Sequence, residues 1–226
     1  MLNNFFIFAY QGSSSGYLIM TCKNNSFILI NPFTRRKMKI KNSTFEVDFS
    51  CFFCHVLLAF VRGSKEFILV VSYRNSDNLY VYKSQNFGWV TYSTLQKVVD
   101  FVVLHNTIYV VTDKANIGIL NLNYADTHFL ELKSTPSVTS TPYSHVRLVS
   151  CDGQLLVLNF TSKETFNVYK IDFSTMNYVK LETLRDLVLF YAPRKKYYAL
   201  SNLGLWGYEK KNCACHRSSM SQIQSV

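Results

Sequence analysis

Two short stretches bring thiols and imidazoles close enough to suggest a metal. Cys51-Phe52-Phe53-Cys54-His55 spaces two cysteines as zinc sites often do, and Cys213-Ala214-Cys215-His216 puts two thiols on alternate residues before a histidine. A closed zinc site needs four converging ligands, and a Cys-x-x-Cys pair needs a knuckle to present it. The residues around Cys51 and Cys54 are apolar and strand-like, so side chains three apart point to opposite faces. Buried thiols are the preferred reading there. Near Cys213 alternate residues would share a face, but no second ligand group accompanies them. No metal and no cofactor is expected.

Nucleophilic catalysis asks for a nucleophile, a base and a group that orients the base. The five histidines are His55, His105, His128, His145 and His216. His105 and His128 fall at expected turn positions, where a structural role suffices. Serines are plentiful, yet no Gly-x-Ser-x-Gly elbow occurs. Phosphate-cradling GxGxxG and GxxxxGK loops are absent too. The Ser-rich run from Gly12 to Gly16 joins two strands and leads into no helix. Asp126, Asp152 and Asp172 sit at expected turns. The reading is a protein without catalytic residues.

Charge offers a third chemistry. The chain carries 24 basic and 14 acidic residues, a net charge of +10, which favours acidic partners in general. The clusters are Arg35, Arg36, Lys37, Lys39 and Lys41; then Arg194, Lys195 and Lys196; then Lys210 and Lys211. Single-stranded nucleic acid would need stacking aromatics beside such charges. Tyr197, Tyr198 and Trp206 meet that condition for the second cluster. Aromatics are nevertheless spread along every expected strand, where core packing explains them. Basic turns are also what solvated edges look like, so nucleic-acid binding is the alternative reading.

The elements that would position these residues follow from composition and repetition. Hydrophobic residues make up 48% and charged residues 17%, with 18 Phe and 15 Tyr, a composition that folds and favours pleated surfaces. No apolar run is long enough for a membrane span, and no cationic segment precedes Phe5 as in a secretory signal. Thiols in a reducing compartment, without membrane attachment, are the expectation. Residues 117–134, IGILNLNYADTHFLELKS, align without a gap to 166–183, FNVYKIDFSTMNYVKLET, Ile117 falling on Phe166. Each reads as strand, polar turn, strand.

INPFTRRKMKI, residues 30–40, fits the same template. Ile30 ends a strand, Pro32 to Arg35 make the turn, and the charges fill sites that the apolar Met38 and Ile40 leave to solvent. A looser copy, 79–92, has a turn read as two residues longer. Upstream of each copy lies another hairpin, turning at residues 12–16, at Gly63-Ser64, at His105-Asn106 and at Asp152-Gly153. The whole unit is four antiparallel strands, seen at about 5–40, 56–92, 101–132 and 146–181. Four short strands at this spacing mark a β-propeller blade. The expected fold is all-β, a propeller of four four-stranded blades over residues 1–212, with an incomplete fifth at 187–212. Residues 213–226 are expected to be a disordered tail. The sheet edge near 187–200 should then be open and prone to association.

At this point the residues resemble a known family. SSSGYLIMTCKNNSFILINPFTRRKMKIK, with its Ser/Gly turn and its Ile-Asn-Pro-x-Thr-Arg strand end, is similar to plant F-box proteins of the KIB-type β-propeller family. LVSCDGQLLVLN followed by FNVYKIDFSTMNYVKLETLRDLVLF is a second matching piece in the same order, and the resemblance spans about 5–212. It implies a non-enzymatic, protein-binding propeller. It resembles the substrate-recognition part of an F-box subunit in a cullin-based ubiquitin ligase, placed in the nucleus or cytoplasm. The partners implied are a target protein and, only if a longer product carries an F-box, a Skp-type adaptor. Two departures stand out: no F-box precedes Phe5, and an unrelated polar tail follows Asn212-Cys213. A truncated remnant without function is therefore a further alternative.

Overall fold

The computed structural model describes residues 8–22, 25–42, 44–45, 54–61, 63–73, 77–94, 96–136, 146–160, 166–183, 188–191 and 197–200. Within them the chain forms four antiparallel sheets of four strands, each a simple meander. Blade 1 holds β1 (Phe8–Ser14), β2 (Tyr17–Cys22), β3 (Ser26–Ile30) and β4 (Lys37–Lys41). Blade 2 holds β5 (Cys54–Phe60), β6 (Phe67–Tyr73), β7 (Asn78–Lys83) and β8 (Gly88–Ser93). Blade 3 holds β9 (Val98–Leu104), β10 (Thr107–Thr112), β11 (Ile117–Asn121) and β12 (Asp126–Phe129). Blade 4 holds β13 (Val146–Cys151), β14 (Gln154–Phe160), β15 (Phe166–Asp172) and β16 (Asn177–Lys180). A two-stranded sheet follows, β17 (Val188–Tyr191) with β18 (Tyr197–Leu200). The expected β-propeller of about four blades is the observed fold.

Each first strand lies beside the next, β1 by β5, β5 by β9 and β9 by β13, and β18 lies by β13. This stacking explains the runs of apolar residues. A strand's alternate side chains point to opposite faces, so an inner strand between two blades must be apolar on both. In blade 2, Val56, Leu58, Leu69 and Val71 pack on Tyr17, Ile19, Phe27 and Leu29 of blade 1. The residues between them, Leu57 and Val70, pack instead on Phe101, Ile108 and Val110 of blade 3. The same division recurs in blade 4. Leu155 and Val157 face blade 3, while Leu156 and Leu158 face Leu189 of β17. Each such Leu or Val, fully buried, contributes about 1.5–3 kcal/mol.

Polar groups tie the blades where the apolar layers end. Ser14 and Ser15 donate their hydroxyls to the Leu58 carbonyl at 2.8 and 2.7 Å. Arg147 Nη1 donates to the Val99 carbonyl at 3.2 Å. The Tyr178 hydroxyl donates to the Ala115 carbonyl, and burial raises its pKa. Trp89 Nε1 donates to the Lys41 carbonyl at 2.8 Å, beside a cluster in which Phe45 stacks on Tyr80 at 3.9 Å.

Three expectations are corrected. The two aligned segments correspond two residues differently: Asn121 pairs with Asp126 as Asp172 pairs with Asn177, so Ile117 matches Val168 and not Phe166. A slip of two keeps every apolar residue on its own face, so the apolar pattern alone does not reveal it. The third turn of blade 2 is no longer than its sisters, because Lys83 pairs with Gly88 across four residues as Ile30 and Lys37 flank theirs through the Asn31–Arg36 bond. Residues 12–14 belong to β1, which bulges between Tyr10 and Gly12, and only Ser15 and Gly16 turn.

Candidate interaction surface

In a four-stranded meander the first and third turns lie at the same end of the blade. The first turns are tight. Consecutive positive φ values occur at Ser15 and Gly16 (51° and 78°), His105 and Asn106 (47° and 64°), and Asp152 and Gly153 (50° and 66°). That pairing is the type I′ turn whose twist suits adjacent strands. Blade 2 uses a longer loop closed by Val61 N–H to the Glu66 carbonyl at 2.9 Å. Turns of blades 3 and 4 touch, since a Cβ on Gly153 would lie 3.2 Å from His105 Nε2.

The third turns share one design. Residues 32–35, 84–87, 122–125 and 173–176 form four-residue loops whose last member, Arg35, Phe87, Ala125 or Met176, has φ near 50° (56°, 49°, 53°, 52°). In three blades the residue before the loop supplies a side-chain acceptor that folds it, the Asx turn. Asn31 Oδ1 accepts from the amides of Phe33 at 3.0 Å and Thr34 at 2.9 Å. Asn121 Oδ1 accepts from the Asn123 amide at 3.0 Å. Asp172 Oδ1 accepts from the Ser174 hydroxyl at 2.6 Å and amide at 2.9 Å, and Oδ2 from the Thr175 hydroxyl at 2.9 Å. Those bonds, the Ser174 hydroxyl foremost, lower the Asp172 pKa to about 2. Blade 2 has Lys83 at this position, and its ammonium reaches across to the Leu122 carbonyl of blade 3.

What these turns hold outward is aromatic. Phe33 is 88% exposed, Phe87 83% and Tyr124 81%, and Phe173, at 40%, leans on Tyr109 with ring centroids 5.6 Å apart. Each of the four blades therefore presents a large ring at the same end. Charge divides across that end: Arg35, Arg36 and Lys37 are exposed on blade 1, while Asp126 and Asp152 are exposed on blades 3 and 4. Sequence reading named the basic cluster and the turn acids. It missed the aromatic ring because the rings occupy different loop positions, which repeat alignment does not superimpose.

The other residues singled out from sequence are scattered. Cys54 is buried and donates its thiol to Gln11 Oε1 at 3.2 Å, in line with the buried-thiol reading. His55 Nδ1 lies 3.8 Å from Asp100 Oδ1, and the ring meets the edge of Phe101. Asp100 itself, unremarked in the sequence, is buried; its two oxygens accept from the amides of Phe101 at 2.9 Å and Leu148 at 3.0 Å. It joins blade 3 to blade 4. His105 sits in its expected turn, but His128 does not: it lies in β12, opposite Ile119, a consequence of the two-residue slip. Cys51, His145, Arg194, Lys195, Lys196, Trp206, Lys210, Lys211, Cys213, Cys215 and His216 lie outside the described residues, as do the side chains of Tyr197 and Tyr198 and all of 213–226. Among the described residues, no three His, Cys, Asp or Glu side chains group as metal ligands would.

A family described as the KIB1-4 beta-propeller matches residues 8–215 of this chain. Among solved structures, AztD of Citrobacter koseri resembles it with a TM-score of 0.51 at 11% identity, over 86% of this chain and 50% of AztD. A Bacteroides thetaiotaomicron protein of unknown function follows at 0.48 and 12%, over 86% of this chain and 53% of that one. The WD40 repeats of RRP9 give 0.43 and 12%, over 74% of this chain and 49% of theirs. The chain thus spans about half the length of these structures. No curated protein sequence matches it.

Proposed function

The chain belongs to the KIB1-4 β-propeller family, and from that premise we propose that it is a non-enzymatic propeller that binds a target protein. The observation that carries this reading is the ring of aromatics at one end of the blades. Phe33, Phe87 and Tyr124 keep more than four-fifths of their surface in water. Large apolar side chains grouped on one surface characterise protein-interaction sites, and aromatic residues dominate the energetics of such contacts. Hydrogen-bonded turns present them, so little backbone freedom is left to lose on binding. The finer reading is substrate recognition for a cullin-based ubiquitin ligase in the nucleus or cytoplasm. A Skp-type adaptor would join through an F-box carried by a longer product.

The test is a quantitative pull-down with the parent chain and with a Phe33→Ala, Phe87→Ala, Tyr124→Ala triple variant. At about 1 kcal/mol for each truncated anchor, the triple variant should bind its partner about a hundredfold more weakly. Nuclease treatment should leave the parent's recovery unchanged, and the variant should melt like the parent. Undiminished recovery by the triple variant would overturn the proposed surface. Recovery that vanishes with nuclease would favour a basic nucleic-acid-binding propeller. Recovery of chaperones alone would point to a remnant without a partner.

A further inference from the structure

The outermost strand of blade 1 differs in chemistry from its three sisters. Lys37, Lys39 and Lys41 alternate along β4 and are exposed, while Met38 and Ile40 between them turn inward. The hydrogen-bond pattern adds a second alternation. Arg36 accepts from the Asn31 amide at 2.9 Å, and Asn42 donates to the Asn25 carbonyl at 3.1 Å. In an antiparallel ladder every second residue bonds inward, so residues 36, 38, 40 and 42 are used by β3. The amides and carbonyls of Lys37, Lys39 and Lys41 therefore point away from β3, and among the described residues only the Lys41 carbonyl is taken, by Trp89.

The equivalent positions elsewhere are Trp89, Thr91 and Ser93 in blade 2, and Thr127, Phe129 and Glu131 in blade 3. In blade 4 they are Tyr178, Lys180 and Glu182, where Lys180 Nζ lies 3.7 Å from Glu182. Blade 1 has no such neutralising acid: among the described residues, no carboxylate pairs with Arg35, Arg36, Lys37, Lys39 or Lys41. Lysines on an edge strand also guard against indiscriminate strand pairing. Such a row of lysines repels a basic strand and favours an acidic one.

We propose that β4 is a docking edge for a short, extended, acidic segment of a partner protein. The segment adds to blade 1 as a fifth strand, pairing its backbone with Lys37 and Lys39. Its acidic side chains lie opposite the lysines, and its alternate residues, apolar, lie on the side of Met38. Main-chain bonds supply affinity in such strand addition, and side chains on alternate positions supply selectivity. The site begins at Lys37, next to the turn that carries Phe33, and runs away from it along β4; it needs none of the aromatic rings.

The probe is a fluorescent peptide of alternating Glu and Val, read by anisotropy against the full chain. Its controls are the Lys/Val counterpart, the same acidic peptide N-methylated on the amides that would face β4, and single-stranded DNA. The acidic peptide should bind and the Lys/Val peptide should not. Lys37→Glu with Lys39→Glu should weaken binding about tenfold or more. N-methylation should abolish it, and the Phe33→Ala, Phe87→Ala, Tyr124→Ala variant should bind as the parent does, so that the two surfaces fail separately. Lys37→Thr with Lys39→Thr, which copies the neutral Thr91 of blade 2, keeps a folded edge and should also weaken binding. Equal binding of the N-methylated peptide would overturn strand addition. Preference for DNA over the peptide would assign the stripe to nucleic acid instead. If the Thr variant only self-associates while binding the acidic peptide as before, the lysines are guards and the proposal fails.

Discussion

Replacing Asp100 by Ala tests whether the blades are joined by buried polar bonds as well as by apolar layers. The carboxylate lies on β9, and it accepts from the Phe101 amide at 2.9 Å and from the Leu148 amide of the next blade at 3.0 Å. Hydrogen bonds to a charged acceptor contribute about 1.5–3 kcal/mol each. Removing the acceptor also leaves the Leu148 amide without its partner at a buried position, 4% exposed. The low end of the range for both bonds gives a loss of about 3 kcal/mol. For a chain of this size that corresponds to a fall in Tm of about 6–12 °C. Asp100→Asn keeps one acceptor oxygen and turns an amino group toward the other amide, so about 2 kcal/mol is expected. Urea unfolding should report the loss as a lowered midpoint with an unchanged slope. Hydrogen exchange should show the Leu148 amide exchanging faster in Asp100→Ala than in the parent. A loss below about 0.5 kcal/mol, the range of an ordinary surface change, would refute the reasoning. So would an undiminished protection of Leu148, because the bond to Asp100 would then not be the one that holds it.

Two further outcomes are open to measurement. The Asp172 carboxyl should titrate at about 2, below its usual 3.8, because its Ser174 and Thr175 bonds favour the charged form. A lowered pKa contributes stability above the unfolded value that disappears as pH falls toward 2. Asp172→Asn, which copies Asn31 and Asn121 of the sister turns, should flatten that acid limb while keeping the turn. NMR titration of the carboxyl and acid melts of the two proteins decide it. Gly118→Ala should destabilise by about 1–3 kcal/mol through overpacking. Its new Cβ would meet Thr127 Cγ2 at 2.9 Å and Phe129 Cδ1 and Val110 Cγ2 at 3.1 Å. A thermal melt unchanged from the parent would show that β12 yields freely.

The legible and illegible parts of this molecule divide along the reach of each signal. Blade number, strand order and most turns could be read because they are written in local patterns of period two, punctuated by residues that accept positive φ. His105-Asn106 and Asp152-Gly153 announce their hairpins in two residues each. Register between blades is different. It is fixed by which side chain folds the third turn, Asn121 or Asp172, and the apolar pattern is blind to a slip of two. Pairing the segments by their Asx residues first, and by hydrophobicity second, recovers the observed match and returns His128 to its strand. Asp100 lay beyond local reading altogether. Within VVDFVVL it is one acid in an apolar strand, and its reason is the Leu148 amide of another blade, 3.0 Å away in space and 48 residues along the chain. The aromatic ring at the blade ends is an intermediate case. Every one of its members stands in a recognisable turn, but their common exposure becomes visible only when meander topology places the third turns together. Function in a repeat fold is therefore sought where the repeats disagree. The rings at shifting loop positions and the lysines on β4 are departures from a shared template, and a template built to pack does not require either.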